Sequence, residues 1–239
     1  STNPKLRVDG NLKNTIKTLT QLVVSSGGFH IDEINAIKQS VLRHFNRDPD
    51  AKFTVQDIVE SLRAEMPSDG TLITETGAFI RMFEYLWPVN TFGSYLGTSG
   101  GRTMGLTIPA SIGYALAHPN KTKIGIGADG STLMRLGELE VFSRMGIKMP
   151  LVIINDMALG TMKSRQKSRG FDPHGLNFQG VDFAKIAQSC GLYGVTVDDP
   201  ESFQLALRNS LLANKTTLID ARIDQQPYWD GFALSIGAI

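Results

Sequence analysis

The sequence predicts an α/β fold: a doubly wound, mainly parallel sheet with helices on both faces, preceded by a helical N-terminal extension. Two observations carry this. From residue 71 onward, short runs of β-branched and apolar residues alternate with helix-like stretches, the pattern of strands buried on both faces and joined by crossover helices. Ahead of residue 54 only helical periodicity is present.

Taken in order, Leu12, Ile16, Leu19 and Val23 share one helical face before the SSGG at 25–28, and Ile34, Ile37, Val41 and Phe45 repeat the pattern. A third helix is predicted in FTVQDIVESLRAEM, where Thr54 and Asp57 offer a capping box, Val55, Ile58, Val59, Leu62 and Met66 form the apolar stripe, and PSDG ends the helix. Strands are predicted at TLITE (71–75), KTKIGIG (121–127), LVIIN (151–155), YGVTV (193–197) and TLIDARI (217–223), with a weaker one in FGSYLG (92–97). Helices are predicted between them at about 78–87, 104–117, 132–145, 182–190 and 201–213. The expected division is a helical extension over 1–53 and an α/β domain with a C-terminal tail over 54–239.

Composition narrows the function classes. The 239 residues are 41% hydrophobic and 20% charged, ordinary for a soluble globular protein. With 24 Lys+Arg against 23 Asp+Glu the net charge is +1, which offers no electrostatic footprint for nucleic acid or an anionic membrane. No run of about 18 apolar residues or charged-then-apolar leader is present. The single cysteine, Cys190, has no disulfide or metal-finger partner and reads as a small buried thiol, so a reducing, cytoplasmic location is expected. The opening STNPK lacks a methionine, and a processed, trimmed or excised product is expected.

In open parallel sheets ligands bind at the carboxyl ends of the strands, and three such ends are chemically loaded: ETGAF, GADGS and NDMALGTM. Each turns into a helix, whose unpaired N–H groups favour an anion. Gly125-x-Gly127-x-x-Gly130 fits a dinucleotide fingerprint. Asp129, however, sits where a pyrophosphate would pass, and the next acid at a strand end, Asp156, stands 26 residues after Gly130 rather than about 20. A divalent cation removes the difficulty. Asp129 and Asp156, at the ends of neighbouring strands, would both ligate it while its open side takes diphosphate oxygens, and oxygen ligands mean Mg²⁺ or Ca²⁺ rather than zinc. A carbonyl of the MALG turn would add a ligand, Gly130 would admit the phosphate closely, and Ser131 would donate its N–H and hydroxyl.

The run from TSGGRTMG through KIGIGADGSTLMRLGELE to LVIINDMALGTM resembles the diphosphate-binding domain of thiamine diphosphate enzymes, in the branch of acetolactate synthase and related 2-oxo-acid decarboxylases and carboligases. Ala128-Asp129-Gly130, Glu138-Leu139 and Asn155-Asp156 stand where the family has G-D-G, E-L and N-N, the two ligand positions are 27 apart (129 to 156), and the resemblance covers roughly 54–225. It implies Asp129, Asp156 and the Ala158 carbonyl as Mg²⁺ ligands. Gly130 and Ser131, with the turn Thr76-Gly77-Ala78-Phe79, would hold the diphosphate, and Leu159 and Gly160 would also bind the cofactor. Met104 would support the bent cofactor from below, and backbone at Arg102 and Met104 would meet the aminopyrimidine. Three departures are present: Ala128 replaces a glycine, Asp156 replaces an amide, and KSRQK in the loop after Gly160 offers Arg165 where acetolactate synthases have a tryptophan. The last suggests a substrate with an extra anionic group.

In the family a second domain holds the pyrimidine and brings the activating glutamate, and no segment here looks like it. Residues 1–53 contain a stretch similar to the end of a preceding middle domain. The expectation is therefore a C-terminal part of a larger lyase or transferase, alone inactive, partnered by a pyrimidine-binding domain or subunit, assembled as a homodimer or higher oligomer, and acting on a small 2-oxo acid. A separate subunit of a two-subunit, sulfopyruvate-type decarboxylase is the alternative; a nucleotide-binding oxidoreductase and a non-catalytic scaffolding remnant are those of another class. Plain structural readings apply to Glu138 (a packing or solvent-facing helix residue) and to His30, His44, His118 and His174 (scattered, without catalytic companions). Without the family, Met104 would be read as core. The tail QQPYWDGFALSIGAI is expected to close the pocket or pack on another domain.

Overall fold

The computed structural model describes residues 8–22, 28, 30–43, 45, 47–97 and 101–225. Val23, Ser25 to Gly27, His44, the TSG at 98–100 and all of the tail but its first glutamine lie outside the described residues. The chain forms two compact units, Ser1–Ser40 and Val41–Ile239. In the first, α1 (Leu12–Leu22) is a helix that buries none of its residues. Helix α2 (Ile31–Arg43), with Asp32 and Glu33 in its first turn and Arg43 in its last, follows the macrodipole and carries the division in its final turn.

The second unit is the α/β domain. Helix α3 (Val55–Glu65) starts at the predicted capping box: the Asp57 N–H donates to Thr54 Oγ1 and the Thr54 N–H to Asp57 Oδ2 at 2.8 Å. Six strands follow, β1 (Thr71–Thr74), β2 (Tyr95–Leu96), β3 (Lys123–Ala128), β4 (Pro150–Asn155), β5 (Tyr193–Val197) and β6 (Thr217–Arg222). They form one sheet in the order β2-β1-β3-β4-β6-β5, every pair parallel. The predicted strands are all present, and FGSYLG shrinks to a two-residue edge.

The connecting helices are α4 (Ile80–Leu86), α5 (Thr107–Ala117), α6 (Asp129–Leu133), α7 (Leu139–Arg144), α8 (Gly160–Ser168), α9 (Phe183–Ser189) and α10 (Pro200–Leu212). Two apolar layers cover the sheet. One joins Val55, Ile58 and Leu62 of α3, Phe83 of α4 and Phe203 and Leu207 of α10; the other joins Ile108 of α5, Phe142 of α7 and Phe183 and Ala187 of α9. The central strands β1, β3 and β4 are buried throughout save Ala128 at the end of β3, which is half-buried, and this explains the apolar composition of their middles.

Three boundaries differ from expectation. The helix predicted over 132–145 is α6, a single 3-10 turn at Leu136–Glu138 and α7, with Arg135 out of helical geometry (φ −134°) between them. The one predicted from 104 starts at Thr107, because Arg102 (φ 46°) and Gly105 (φ 75°) hold the chain left-handed before it. KSRQK, expected in a loop, lies in α8; GTMKSRQKS is polar on nearly every side and gives no stripe to read.

From β1 the chain passes outward to β2 and then returns across to β3 on the other side of β1. The crevice between the carboxyl ends of β1 and β3 is thus the point where the winding reverses, the place where such sheets bind ligands.

Candidate functional site

A cleft of about 490 Å³ opens at the carboxyl ends of β1, β3 and β4. It is lined by Thr76, Gly77, Ala78 and Phe79 after β1, by Asp129, Gly130 and Ser131 after β3, and by Asp156, Ala158, Leu159 and Gly160 after β4, with Arg102 and Met104 on a fourth segment. Every residue assigned a site role from the sequence is therefore in one cleft. Met104 is 37% exposed, which removes its reading as core. Arg81, Ala128, Ile154, Thr161, Met162 and Arg165 complete the lining.

Helix starts surround this cleft, and they share with α5 and α7 the lack of an N-terminal side-chain cap of their own. Helices α3, α9 and α10 are capped by the side chains of Thr54, Asp182 and Asp199. At α4, α6 and α8, which begin where β1, β3 and β4 end, no side chain caps the helix. Apart from the Gly130 N–H, which Asp129 Oδ1 accepts, no side chain takes their first N–H groups at the cleft end of the sheet, the arrangement that suits an anion.

The two carboxylates are held by their own turns. Asp129 is 3% exposed and its Oδ1 accepts the Gly130 N–H at 2.6 Å; Asp156 is 7% exposed and its Oδ1 accepts the Ala158 N–H at 3.1 Å. Burial first, and the Asp156 charge second, push the Asp129 carboxyl up to about 8. Asp156 is likewise pushed up, to about 6, chiefly by burial, against the pull of the Ala158 N–H and Lys163. Burial and the Asp156 charge make ionising Asp129 costly, a cost that a cation held by both carboxylates would relieve. Two further atoms point the same way: Asp129 Oδ2 and Ser131 Oγ are buried and have no hydrogen-bond partner. Among the described residues no three His, Cys, Asp or Glu gather as a metal cluster, so a cation at Asp129 and Asp156 would complete its shell from backbone and ligand oxygens. The residues present fit a diphosphate-bound divalent ion.

The turn after β4 is braced from behind. Asp220 of β6, fully buried, accepts from Asn155 Nδ2 at 2.8 Å, and Asn155 Oδ1 accepts the N–H of Met157, which is left-handed at φ 53°. From the front, Leu159 donates to the Leu176 carbonyl and Phe178 to the Met157 carbonyl at 2.8 and 2.7 Å. The segment around His174 thus folds onto the turn through its neighbours 176–178, while His30, His118 and His174 are themselves exposed. Gln225, the first residue of the predicted tail, donates to the Asp156 carbonyl. Glu138 is half-buried and pairs with Arg135 at 3.5 Å, the surface role expected of it, and Cys190 is a free, half-buried thiol at the end of α9.

The three glycines separate. A Cβ on Gly125 would meet Ser111 Oγ at 2.6 Å and Leu151 Cδ2 at 2.7 Å, and one on Gly127 would meet Glu75 Oε1 at 2.9 Å, so both serve packing within β3. Only Gly130 lines the cleft, with Leu159 and Phe178 3.0 and 3.1 Å from the position of a Cβ. Phe178 and Asp220 carry no mark in their local sequence, and Glu75 and Asn155, though they stand in the strand-end segments ETGAF and NDMALGTM, take their bracing contacts from the fold.

Comparison with known proteins identifies the family of this fold. Residues 75–221 match the family described as thiamine pyrophosphate enzyme, C-terminal TPP binding domain. The acetolactate synthase large subunit of Haemophilus influenzae is 26% identical over 230 residues, 92% of this chain and 40% of that protein. A 3D-(3,5/4)-trihydroxycyclohexane-1,2-dione hydrolase of Bacillus velezensis is 22% identical over 90% of this chain and 35% of its own length. The chain therefore spans well under half of these relatives. Among solved structures, the thiamine diphosphate-dependent 4-hydroxybenzoylformate decarboxylase of Rhodococcus jostii RHA1 superposes with a TM-score of 0.68 at 26% identity, over 75% of this chain and 34% of that one. Benzoylformate decarboxylase from Polynucleobacter necessarius shares the fold at a TM-score of 0.66 and 18% identity, over 71% of this chain and 33% of that one. With the match covering more than half its length, the chain belongs to the thiamine pyrophosphate enzyme family, of which it carries the C-terminal TPP binding domain.

Proposed function

We propose that this chain provides the Mg²⁺- and diphosphate-binding half of the thiamine diphosphate site in a 2-oxo-acid decarboxylase or carboligase of the acetolactate synthase type. One observation carries the reading: Asp129 and Asp156, distant in sequence, stand together at the ends of adjacent strands in a cleft ringed by uncapped helix starts, with Asp129 Oδ2 and Ser131 Oγ unpartnered.

Asp129, Asp156 and the Ala158 carbonyl would hold the metal, and hard oxygens of this kind suit Mg²⁺, with Ca²⁺ also accommodated. Ser131 and the N–H groups at Gly77 to Phe79, Gly130 and Gly160 would receive the diphosphate. Met104 and the backbone of Arg102 would orient the aminopyrimidine end. When bound, thiamine diphosphate supplies the electron sink for breaking the bond beside a 2-oxo carbon. The chain's residues fix its position and keep the charged end out of bulk water; the activating glutamate belongs to a pyrimidine-binding domain or partner subunit, in a homodimer or larger assembly. Arg165, on α8 at the cleft wall, would meet an anionic group of the substrate.

Titration calorimetry tests the reading. Thiamine diphosphate is expected to bind the chain weakly and only with Mg²⁺, and Asp129→Ala to abolish the metal dependence. Metal-independent binding of equal strength would remove the proposal, and robust decarboxylation by the purified chain alone would show that no partner domain is needed.

A further inference from the structure

Glu75 follows β1, is 1% exposed, and does not line the cleft. Its Oε2 accepts the N–H groups of Leu106 at 2.7 Å and Thr107 at 3.2 Å; its Oε1 accepts that of Ala128 at 3.1 Å. One buried carboxylate thus ties together two separate segments. The first is the left-handed stretch that presents Arg102 and Met104 and leads into α5; the second is the end of β3 that presents Asp129. Helix α5 lacks a side-chain cap of its own, and Glu75 caps it from a neighbouring strand. Burial pushes the Glu75 carboxyl up while the backbone N–H groups pull it down. All of those hydrogen bonds point inward to the carboxylate, which an ionised group with two acceptor oxygens satisfies and a neutral one with an O–H does not.

We infer that Glu75 is a positioning residue that sets the distance between the aminopyrimidine-facing wall (Arg102 to Gly105) and the diphosphate-facing wall (Ala128 to Ser131), so that a bent cofactor meets both at once. This rests on the cleft taking thiamine diphosphate as proposed above. The space for the clamp is reserved on the other side as well: Gly127 has no Cβ because Glu75 Oε1 occupies a point 2.9 Å from where it would stand.

The test compares two ligands on the full chain in the presence of Mg²⁺: thiamine diphosphate, which must touch both walls, and inorganic diphosphate, which needs one. Glu75→Gln keeps the shape but turns an NH₂ toward at least one N–H donor, which releases one wall. The expected result is a loss of about tenfold or more in thiamine diphosphate affinity, with inorganic diphosphate affinity changed by less than about threefold. Faster hydrogen exchange at Leu106, Thr107 or Ala128 is expected alongside it. Gly127→Ala, which pushes on the same carboxylate without altering its charge, should give the same split and carries the test if Glu75→Gln does not fold. Equal affinity for thiamine diphosphate in the wild type and a folded variant overturns the inference, as do parallel losses for both ligands or failure of both variants to fold, which would make the clamp purely structural. If the wild type binds neither ligand, the proposed function fails first and the inference with it.

Discussion

Replacing Asp129 by asparagine should stabilise the metal-free chain while it destroys the metal site. Raising a carboxyl from 3.8 to about 8 on folding means that the folded chain binds a proton which the unfolded chain releases. The penalty is absent below about pH 3.8 and grows as pH rises toward 8. At pH 7 the rise corresponds to a cost of about 4 kcal/mol as an upper bound, at 1.36 kcal/mol for each pH unit above the unfolded value. Asparagine keeps an acceptor for the Gly130 N–H, carries no charge and repels Asp156 less. Burying its amide group costs about 1–2 kcal/mol, which leaves a net gain of about 2 kcal/mol, or about 4–8 °C in Tm for a chain of this size. Thermal denaturation by circular dichroism in EDTA, from pH 4.5 to 8, should show a gap between variant and wild type that opens with pH. In millimolar Mg²⁺ the order should reverse, since only the wild type gains a ligand. A variant no more stable than the wild type at pH 8 in EDTA would refute the reasoning, because Asp129 would then be acting simply as a helix-start acceptor.

Other perturbations probe other parts of the site. Asn155→Ala removes the acceptor for Met157 and leaves Asp220 buried without its amide partner; the loss is expected at about 2–4 kcal/mol by urea denaturation, with weaker Mg²⁺-dependent cofactor binding. Gly125→Ala forces a methyl to within 2.7 Å of Leu151 and closer still to Ser111; a destabilisation of about 1–3 kcal/mol is expected, measured the same way, and cofactor binding by the folded fraction should be unchanged. Arg165→Ala should raise KM for an acidic 2-oxo acid about tenfold or more in the assembled enzyme and leave a neutral one untouched, and unchanged kinetics for the acidic substrate would remove its proposed role.

The elements were legible because their signals are local. TLIT, KIGIGA and PLVIIN have apolar centres since each strand is covered on both faces, and Thr54 marks a helix start by reaching its own backbone. Helix α8 was not legible, because a polar helix at a cleft wall has no buried stripe to impose a period. The same reasoning separates the site residues. Asp129 and Asp156 declare themselves by chemistry and spacing at strand ends, whereas Glu75 reaches Ala128 across 53 residues, Asp220 reaches Asn155 across 65 and Phe178 reaches Met157 across 21, partners that only the tertiary fold brings near.

The sequence by itself determined that this is a parallel α/β domain with an acid pair where an anion should bind, since alternation, caps and strand-end residues are properties of short segments. Tertiary structure decided which strands are neighbours, that Gly125 and Gly127 serve packing and Gly130 the cleft, and that Glu75 fastens two walls together. Those facts depend on the order β2-β1-β3-β4-β6-β5, and a strand order is fixed by long-range burial rather than by any local pattern.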